Sequence, residues 1–229
     1  MRILCFIPAR GGSKSIPRKN LAAVAGKPLL AWSIEQARAC PTIDRVVVST
    51  DDEDIAAVAE RFGAEAPFRR PAELATDAAP TEPAMIHGLD ALHALDGYAP
   101  EAIVLLQPTC PVRKPGTLAR AVELFLAQRA DSLVSAREIH PFLWRNPDAP
   151  TASYDYRHRP RRQDVSTAER LFEENGSIYI TRTELLRETG CRLGGKIALF
   201  EMEADESWDI DALGDLVIAD ALLRDSAKR

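Results

Sequence analysis

Ile3-Leu4-Cys5-Phe6-Ile7-Pro8-Ala9-Arg10-Gly11-Gly12-Ser13-Lys14-Ser15-Ile16-Pro17-Arg18-Lys19-Asn20 decides the fold. Its opening run is apolar without a break, as a strand buried on both faces must be. That run empties into a loop with paired glycines and the cations Arg10, Lys14, Arg18 and Lys19. Paired glycines let backbone N–H groups approach phosphate oxygens closely, and the cations neutralise phosphate charge. The first 34 residues hold six Lys or Arg and no carboxylate, in a chain whose net charge is −5. A solvated basic loop would explain the charges but not a glycine pair set directly after a strand. The stretch reads as a nucleoside triphosphate loop. It is not a Walker A, which ends in Gly-Lys-Ser/Thr, and Gly11-Gly12-Ser13 does not complete Gly-x-Gly-x-x-Gly.

Working outward, short apolar strands alternate with amphipathic helices. A helix is expected from Pro28, with Leu30, Ile34 and Ala37 on its apolar face and Pro41 as its stop. Val46-Val47-Val48 reads as a second buried strand, and Asp52 as the cap of a helix that ends at Gly63. A helix through Met85, Ile86, Leu89 and Leu92 precedes a third strand, Ala102–Leu106. Leu118, Val122 and Phe125 mark another helix, and Leu133-Val134 another short strand. The pattern predicts an α/β fold: a mostly parallel, three-layer Rossmann-like sheet, with ligands at the carboxyl ends of its strands.

Between Ile139 and Ala168 the rhythm breaks, with four prolines, five arginines, Phe142, Trp144, Tyr154 and Tyr156. So long a structureless loop is uncommon inside a domain, so residues 139–168 are read as a strand-rich arm, toward a partner subunit or walling the site. The parallel pattern is expected to resume with a strand at Ser177–Ile180, a helix at Arg182–Glu188, a strand at Lys196–Met202 and a last helix over Ala212–Asp225. Residues 1–229 form one expected domain.

With 229 residues, 46% of them hydrophobic, the chain can bury a full core. A pI near 5.5 argues against general nucleic-acid binding, which needs a wide basic surface. Cys5, Cys40, Cys110 and Cys191 lie far apart without metal-ligand spacing, as free thiols in a reducing cytoplasm do. No export signal and no membrane-length apolar run is found. His87, His93, His140 and His158 form no catalytic set with a serine and a carboxylate.

Ser207-Trp208-Asp209-Ile210-Asp211 is the second strong signal. In an extended segment residues two apart share a face, so Asp209 and Asp211 present their carboxylates together. Such a hard-oxygen pair suits Mg²⁺, which keeps several waters and bridges to substrate phosphates. Alone, the segment could equally be a helix cap beside a surface charge; the triphosphate loop tips the reading to metal.

The residues Ile7-Pro8-Ala9-Arg10-Gly11-Gly12-Ser13-Lys14 and Ile16-Pro17-Arg18-Lys19-Asn20-Leu21 resemble the opening signature of the acylneuraminate cytidylyltransferases. Arg70-Pro71-Ala72-Glu73-Leu74-Ala75-Thr76-Asp77 resembles that family's cytosine-wrapping segment, and Leu106-Gln107-Pro108-Thr109-Cys110-Pro111 its Leu-Gln-Pro-Thr-Ser-Pro. Arg159-Pro160-Arg161-Arg162-Gln163-Asp164, Glu174-Asn175-Gly176-Ser177-Ile178-Tyr179 and Gly194-Gly195-Lys196 are similar to the animal-type sialic acid and deaminated sialic acid members. The resemblance covers nearly the whole chain. It implies a nucleotidyltransferase in which the C2 hydroxyl of a 2-keto-3-deoxy nonulosonic acid attacks the α-phosphate of CTP and releases pyrophosphate.

By that resemblance Arg10, Lys19 and Asn20, with the backbone of Gly11, Gly12 and Ser13, hold the triphosphate, and Arg70, Ala79 and Thr81 meet the cytidine. Gln107, Asn175 and Tyr179 meet the sugar, and Arg162, or Arg161 if the register slips by one, takes its carboxylate. Asp209 and Asp211 carry Mg²⁺, and Arg10, Lys19 and Asp211 are the catalytic residues. The resemblance also implies a homodimer, or a dimer of dimers, joined through the arm. Three departures lie on the sugar side: Cys110 replaces the usual serine, Phe142-Leu143-Trp144 stands where many bacterial members place a lysine, and the stretch from Gln163 to Asn175 is longer than in many of them. Legionaminate, pseudaminate and 3-deoxy-manno-octulosonate therefore remain alternative acids, though Lys19-Asn20 argues against the last. A silent nucleotide-binding module would have no need of the metal pair.

Overall fold

A six-stranded sheet carries the molecule. In the computed structural model, which describes residues 1–226, its strands lie side by side in the order 197–201, 132–139, 171–182, 102–106, 3–8 and 45–49. Strand β1 (Ile3–Pro8) lies inside, and the hairpin of β2 (Ala23–Val24) and β3 (Lys27–Pro28) leads into α1 (Leu29–Arg38). Then follow β4 (Arg45–Ser49), α2 (Glu53–Arg61), α3 (Thr81–Asp96), β5 (Ala102–Leu106), α4 (Thr117–Ala127) and β6 (Ser132–Ile139). The arm holds β7 (Trp144–Arg145) and β8 (Thr151–Ala152), and the chain ends with β9 (Leu171–Arg182), α5 (Thr183–Thr189), β10 (Ile197–Glu201) and α6 (Leu213–Ser226). Residues 227–229, counted in the expected domain, lie outside the described residues.

The alternation of side chains along β1 builds the three layers. Ile3, Cys5 and Ile7 pack with Leu30, Ile34, Ile55 and Phe125, on α1, α2 and α4. Leu4 and Phe6 point the other way, into Met85, Leu89 and Leu186 on α3 and α5. Strand β1 pairs in parallel with both β4 and β5, so connections leave it in both directions and a crevice opens at its carboxyl end. A third, smaller core joins Ile16 of the glycine loop to Ile210, Ala219 and Leu223. It brings the first motif and the Asp209-Ile210-Asp211 segment together across most of the chain.

Gly88 shows how tightly α3 seats. A Cβ there would stand 2.5 Å from the Phe6 ring, which is fully buried, and 3.3 Å from Phe68. Alanine gains up to about 1 kcal/mol of helix propensity, but overpacking costs about 1–3 kcal/mol. Gly88→Ala is expected to lower the melting temperature by about 2–6 °C in a thermal scan.

Two expectations change. The Ser177–Ile180 strand is the end of the longer β9, which runs antiparallel to both β5 and β6. Its buried run fits either direction; what sets the direction is that β6 runs out into the arm and the chain returns beside it. Three of the five strand pairings are parallel, so the sheet remains mostly parallel. The arm is also poorer in strand than expected, with only two two-residue strands between residues 139 and 168. Side chains organise it instead: Tyr154 meets Phe142 at 4.6 Å and Trp144 at 6.2 Å, with Arg159 over the Phe142 ring.

Candidate active site

A cavity of about 560 Å³ opens at the carboxyl ends of β1 and β5. Pro8, Arg10, Gly12, Ser13, Lys19 and Asn20 line one side, Arg70, Asp77, Ala79 and Thr81 another, and Gln107 and Asp211 the floor. A second cavity of about 480 Å³ lies over the extended ribbon of β6 and β9. Arg137, Glu173, Glu174, Tyr179, Trp208 and Asp209 are among its walls. Gln107 stands between them. It lines the first cavity, while its Oε1 lies 2.9 Å from where a Cβ on Gly176, a wall of the second, would sit. Gly176 also has φ +69°, so a side chain there is doubly disfavoured.

The glycine loop is held from behind. Ala9 N–H donates to Ser49 O at 3.0 Å, and Asn20 Nδ2 donates to Arg10 O at 3.0 Å, closing the loop on itself. Lys19 is 9% exposed; its Nζ donates to Ile210 O at 2.6 Å and lies 3.8 Å from Asp211 Oδ1. One ammonium thus ties the loop to the acid segment. Arg10 and Lys14 both reach Asp77, at 2.6 and 3.0 Å. Those cations, Lys14 first, hold the Asp77 carboxyl below its usual range.

Gly11 and Arg18 depart from expectation. The Gly11 N–H donates to Asp51 Oδ1 at 2.9 Å, and a Cβ would meet Asp52 Oδ2 at 2.8 Å. That glycine is needed because the loop passes close to the start of α2, and Gly12 and Ser13 are the residues that face the cavity. Arg18 turns away to Asp54, at 2.7 Å, so it does not join the other cations of the loop.

Arg70, Ala79 and Thr81 come together on one wall. Arg70 is 7% exposed, with Nε donating to Ser49 Oγ at 3.1 Å and Nη2 to Ser49 O. Burial lowers its pKa to about 10, which leaves it charged at neutral pH. The carboxyl end of β4 therefore fixes a cation in the depth of the cavity.

In the second cavity Tyr179 is buried, donates its hydroxyl to Glu174 and lies under the Arg192 guanidinium, 4.7 Å from the ring centre. Burial, with Glu174 added, pushes its pKa up. Asn175 corrects an expectation. Its Oδ1 accepts from Ser135 Oγ at 2.6 Å and Ser177 N at 3.1 Å, and its Nδ2 donates to Ser207 Oγ at 2.9 Å and Met202 Sδ at 3.3 Å. An amide offers two donors and two acceptor sites, so Asn175 braces the cavity floor and has nothing left for a substrate. Arg162 is not brought in either. It is exposed on the arm and lines neither cavity, and its charge is felt by Glu138. Arg161 is taken by Asp164. The cation lining the second cavity is Arg137, paired with Glu173 at 2.6 Å.

Ile210 is fully buried while Asp209 and Asp211 on either side are exposed, the alternation an extended segment gives. The two carboxylates straddle the cavities: Asp211 lines the larger, Asp209 the smaller. Among the described residues no cluster of three or more His, Cys, Asp or Glu has metal-binding geometry. A pair of exposed carboxylates fits Mg²⁺ completed by water and substrate oxygens better than a metal caged by protein. Asp211 does not cap α6; Asp215 Oδ2 accepts from the Asp211 and Ala212 N–H groups.

Sequence reading missed three supports. Asp77 was seen only as the end of a motif. Cys110 donates to Asp209 Oδ1 at 3.4 Å and to Asn175 O at 3.3 Å, and burial raises its pKa to about 12. Arg113, buried and with no ion pair among the described residues, donates to Gln107 O and Ser177 O at 3.3 and 2.8 Å and so staples the end of β5 to β9 behind the wall between the cavities. Only long-range contacts reveal the last two; the Arg70–Asp77 motif did carry a signal for the first.

The family model for cytidylyltransferases matches residues 4–185. The chain is 32% identical, over 98% of its length and 97% of the relative's, to pseudaminic acid cytidylyltransferase of Campylobacter jejuni subsp. jejuni. It is 37% identical to N-acylneuraminate cytidylyltransferase A of Danio rerio, over 95% of this chain and 50% of that protein. Its fold matches CMP:2-keto-3-deoxy-manno-octonic acid synthetase complexed with CTP, with a TM-score of 0.71 at 18% identity, covering 98% of this chain and 99% of that one. The chain belongs to the cytidylyltransferase family, in the group that holds the N-acylneuraminate and pseudaminic acid cytidylyltransferases.

Proposed function

We propose that the protein activates a nonulosonic acid with CTP, the triphosphate and cytidine lying in the larger cavity and the acid sugar in the smaller. The observation that carries this reading is the pair of adjoining cavities divided by Gln107, with cations on the triphosphate side. The C2 hydroxyl oxygen bonds to the α-phosphorus and gives up its proton to water as the bond to the bridging β-phosphate oxygen breaks, and pyrophosphate leaves with the electron pair. Both partners are anions, so neutralisation and positioning supply most of the catalysis. Lys19 and Arg10 offer charge-assisted hydrogen bonds to phosphate; Arg70, Ala79 and Thr81 frame the base; Tyr179 walls the sugar. Asp209 and Asp211 would hold Mg²⁺, which would lower the charge on the attacked phosphate.

The acid itself is open to direct test. Pyrophosphate release is measured with CTP, Mg²⁺ and a panel of neuraminic, legionaminic, pseudaminic and octulosonic acids. Release with one of the nonulosonic acids is expected; release only with the octulosonate, or with none, overturns the reading.

The arm supports a homodimer, and a dimer of dimers remains an allowed assembly. Phe142, Leu143, Trp144 and Tyr156 are 42–56% exposed, and Leu171, Ile197 and Leu199, on β9 and edge strand β10, are 42–54% exposed. Aromatic and arginine side chains of this kind are enriched at interface hot spots. Arg162 reaches an acid sugar in this scheme only from a second subunit's arm. Arg162→Lys keeps the charge but loses the bidentate fork, so the KM for the acid is expected to rise about ten- to a hundredfold, with that for CTP unchanged. If Arg137→Lys gives that loss and Arg162→Lys does not, the carboxylate belongs to Arg137. Light scattering checks the assembly: an active monomer at assay concentration would remove the shared site.

Among the described residues no helix is long and apolar enough to cross a membrane. Cys5, Cys40, Cys110 and Cys191 are all free, the last of them exposed, which supports a cytoplasmic setting.

A further inference from the structure

The two loop cations that reach the larger cavity without touching the acid segment share one partner. Arg10 Nη1 lies 2.6 Å from Asp77 Oδ1 and Lys14 Nζ lies 3.0 Å from Asp77 Oδ2, so each carboxylate oxygen takes one cation. Asp77 lines the same cavity, on the stretch that leads into α3. This is a doubly neutralised carboxylate in the place where a triphosphate would need those same charges. Lys19, in contrast, stands beside Asp211 and donates to Ile210 O, next to Asp209, which lines the second cavity; the attacked phosphate must lie on that side. That leaves Arg10 and Lys14 for the part of the triphosphate that departs.

We propose that Asp77 is an internal counter-anion of the phosphate loop, competing with the leaving pyrophosphate group for Arg10 and Lys14 and so setting how strongly the site prefers triphosphate to monophosphate. The inference rests on the reading of the larger cavity as the nucleotide site. A carboxylate that gives up its cations stays within reach of the incoming phosphates, and like charges repel. Every ligand that takes these cations loses affinity in proportion to the fraction of sites in which Asp77 holds them. A loss of preorganisation does not outweigh this gain when the carboxylate is removed. The Arg10 backbone is set by Asn20 and, through Ala9, by Ser49, and the Lys14 side chain is 81% exposed, so neither loop position depends on Asp77. On pyrophosphate departure the carboxylate reclaims both cations, which favours release.

Calorimetric titration of inorganic pyrophosphate, CTP and CMP into wild type and Asp77→Asn tests this. The substitution is nearly isosteric at a half-exposed site, and a thermal melt confirms that the variant folds. Pyrophosphate and CTP are expected to bind about two- to tenfold more tightly to the variant, the scale of two exposed ion pairs removed from competition. CMP, which lacks the departing phosphates, is expected to change less than twofold. If CTP and pyrophosphate bind the variant as in wild type or more weakly, or if CMP tightens equally, Asp77 is not a counter-anion for the leaving group. If wild type binds neither CTP nor pyrophosphate, the nucleotide site itself is misplaced and the inference falls with it.

Discussion

Asp211→Asn is expected to lower turnover by a hundredfold or more while leaving the melting temperature almost unchanged. Its side chain is 84% exposed, and its one ion pair among the described residues is with Lys19, at 3.8 Å, so the fold does not lean on it. Surface substitutions of this kind stay within about 0.5 kcal/mol. The rate depends on it differently. A carboxylate that helps hold a phosphate-bound cation contributes several kcal/mol in the transition state, and about 1.4 kcal/mol is tenfold in rate. An amide keeps the shape but supplies no charge. Turnover near the wild-type rate at limiting Mg²⁺ would mean that Asp211 carries no metal. Asp209→Asn is the companion measurement: its carboxylate accepts from Cys110, so some structural loss should accompany the loss of rate.

Lys19→Ala has the second large effect, and the structure alters its expected form. As a loop charge alone, Lys19 would be dispensable to stability. Its ammonium instead donates to Ile210 O from a buried position, and alanine leaves that carbonyl without its donor. A stability loss of about 1–2 kcal/mol is expected. In the proposed scheme the kinetic loss is larger, because the same group would serve the phosphates and also fixes the segment that bears Asp211. A charged hydrogen bond contributes about 1.5–3 kcal/mol, so kcat/KM for CTP should fall at least tenfold to a hundredfold. Lys19→Met separates the parts, since it restores the packing of the stem without the charge. If Lys19→Met recovers CTP affinity, Lys19 is a packing residue and does not hold phosphate.

Most of the sheet was legible because it is local. The run Ile3–Pro8, the Asp52 cap, which accepts from Ile55 N–H at 3.0 Å, and Gly63 at φ +86° each act within a few residues of themselves. Strand direction was not legible at β9, since a run buried on both faces satisfies parallel and antiparallel neighbours equally. Nor was the purpose of each glycine. Gly11 and Gly12 look alike in sequence, yet one is forced by the Asp52 side chain and the other borders open space. Asn175 reads as a substrate amide until Ser135, Ser207 and Met202, from three other segments, are seen to consume it. Motifs marked residues that line the two cavities; how those side chains are engaged depended on contacts between residues tens of positions apart.

Two side chains near the dividing wall could in principle take the cytidylyl group themselves, and their environments argue against it. The Cys110 thiol is pushed up to about 12 by burial, and the Tyr179 hydroxyl, also pushed up, is committed to Glu174. Neither is poised as a nucleophile. Transfer should therefore run directly from CTP in one cavity to the acid sugar in the other. Exchange of radiolabelled pyrophosphate into CTP tests this most directly. With CTP and Mg²⁺ but no acid sugar, no label should enter CTP, and addition of the accepted nonulosonic acid should start the exchange. Label entering CTP without the acid would reveal a covalent cytidylyl-enzyme and contradict direct transfer between the two cavities.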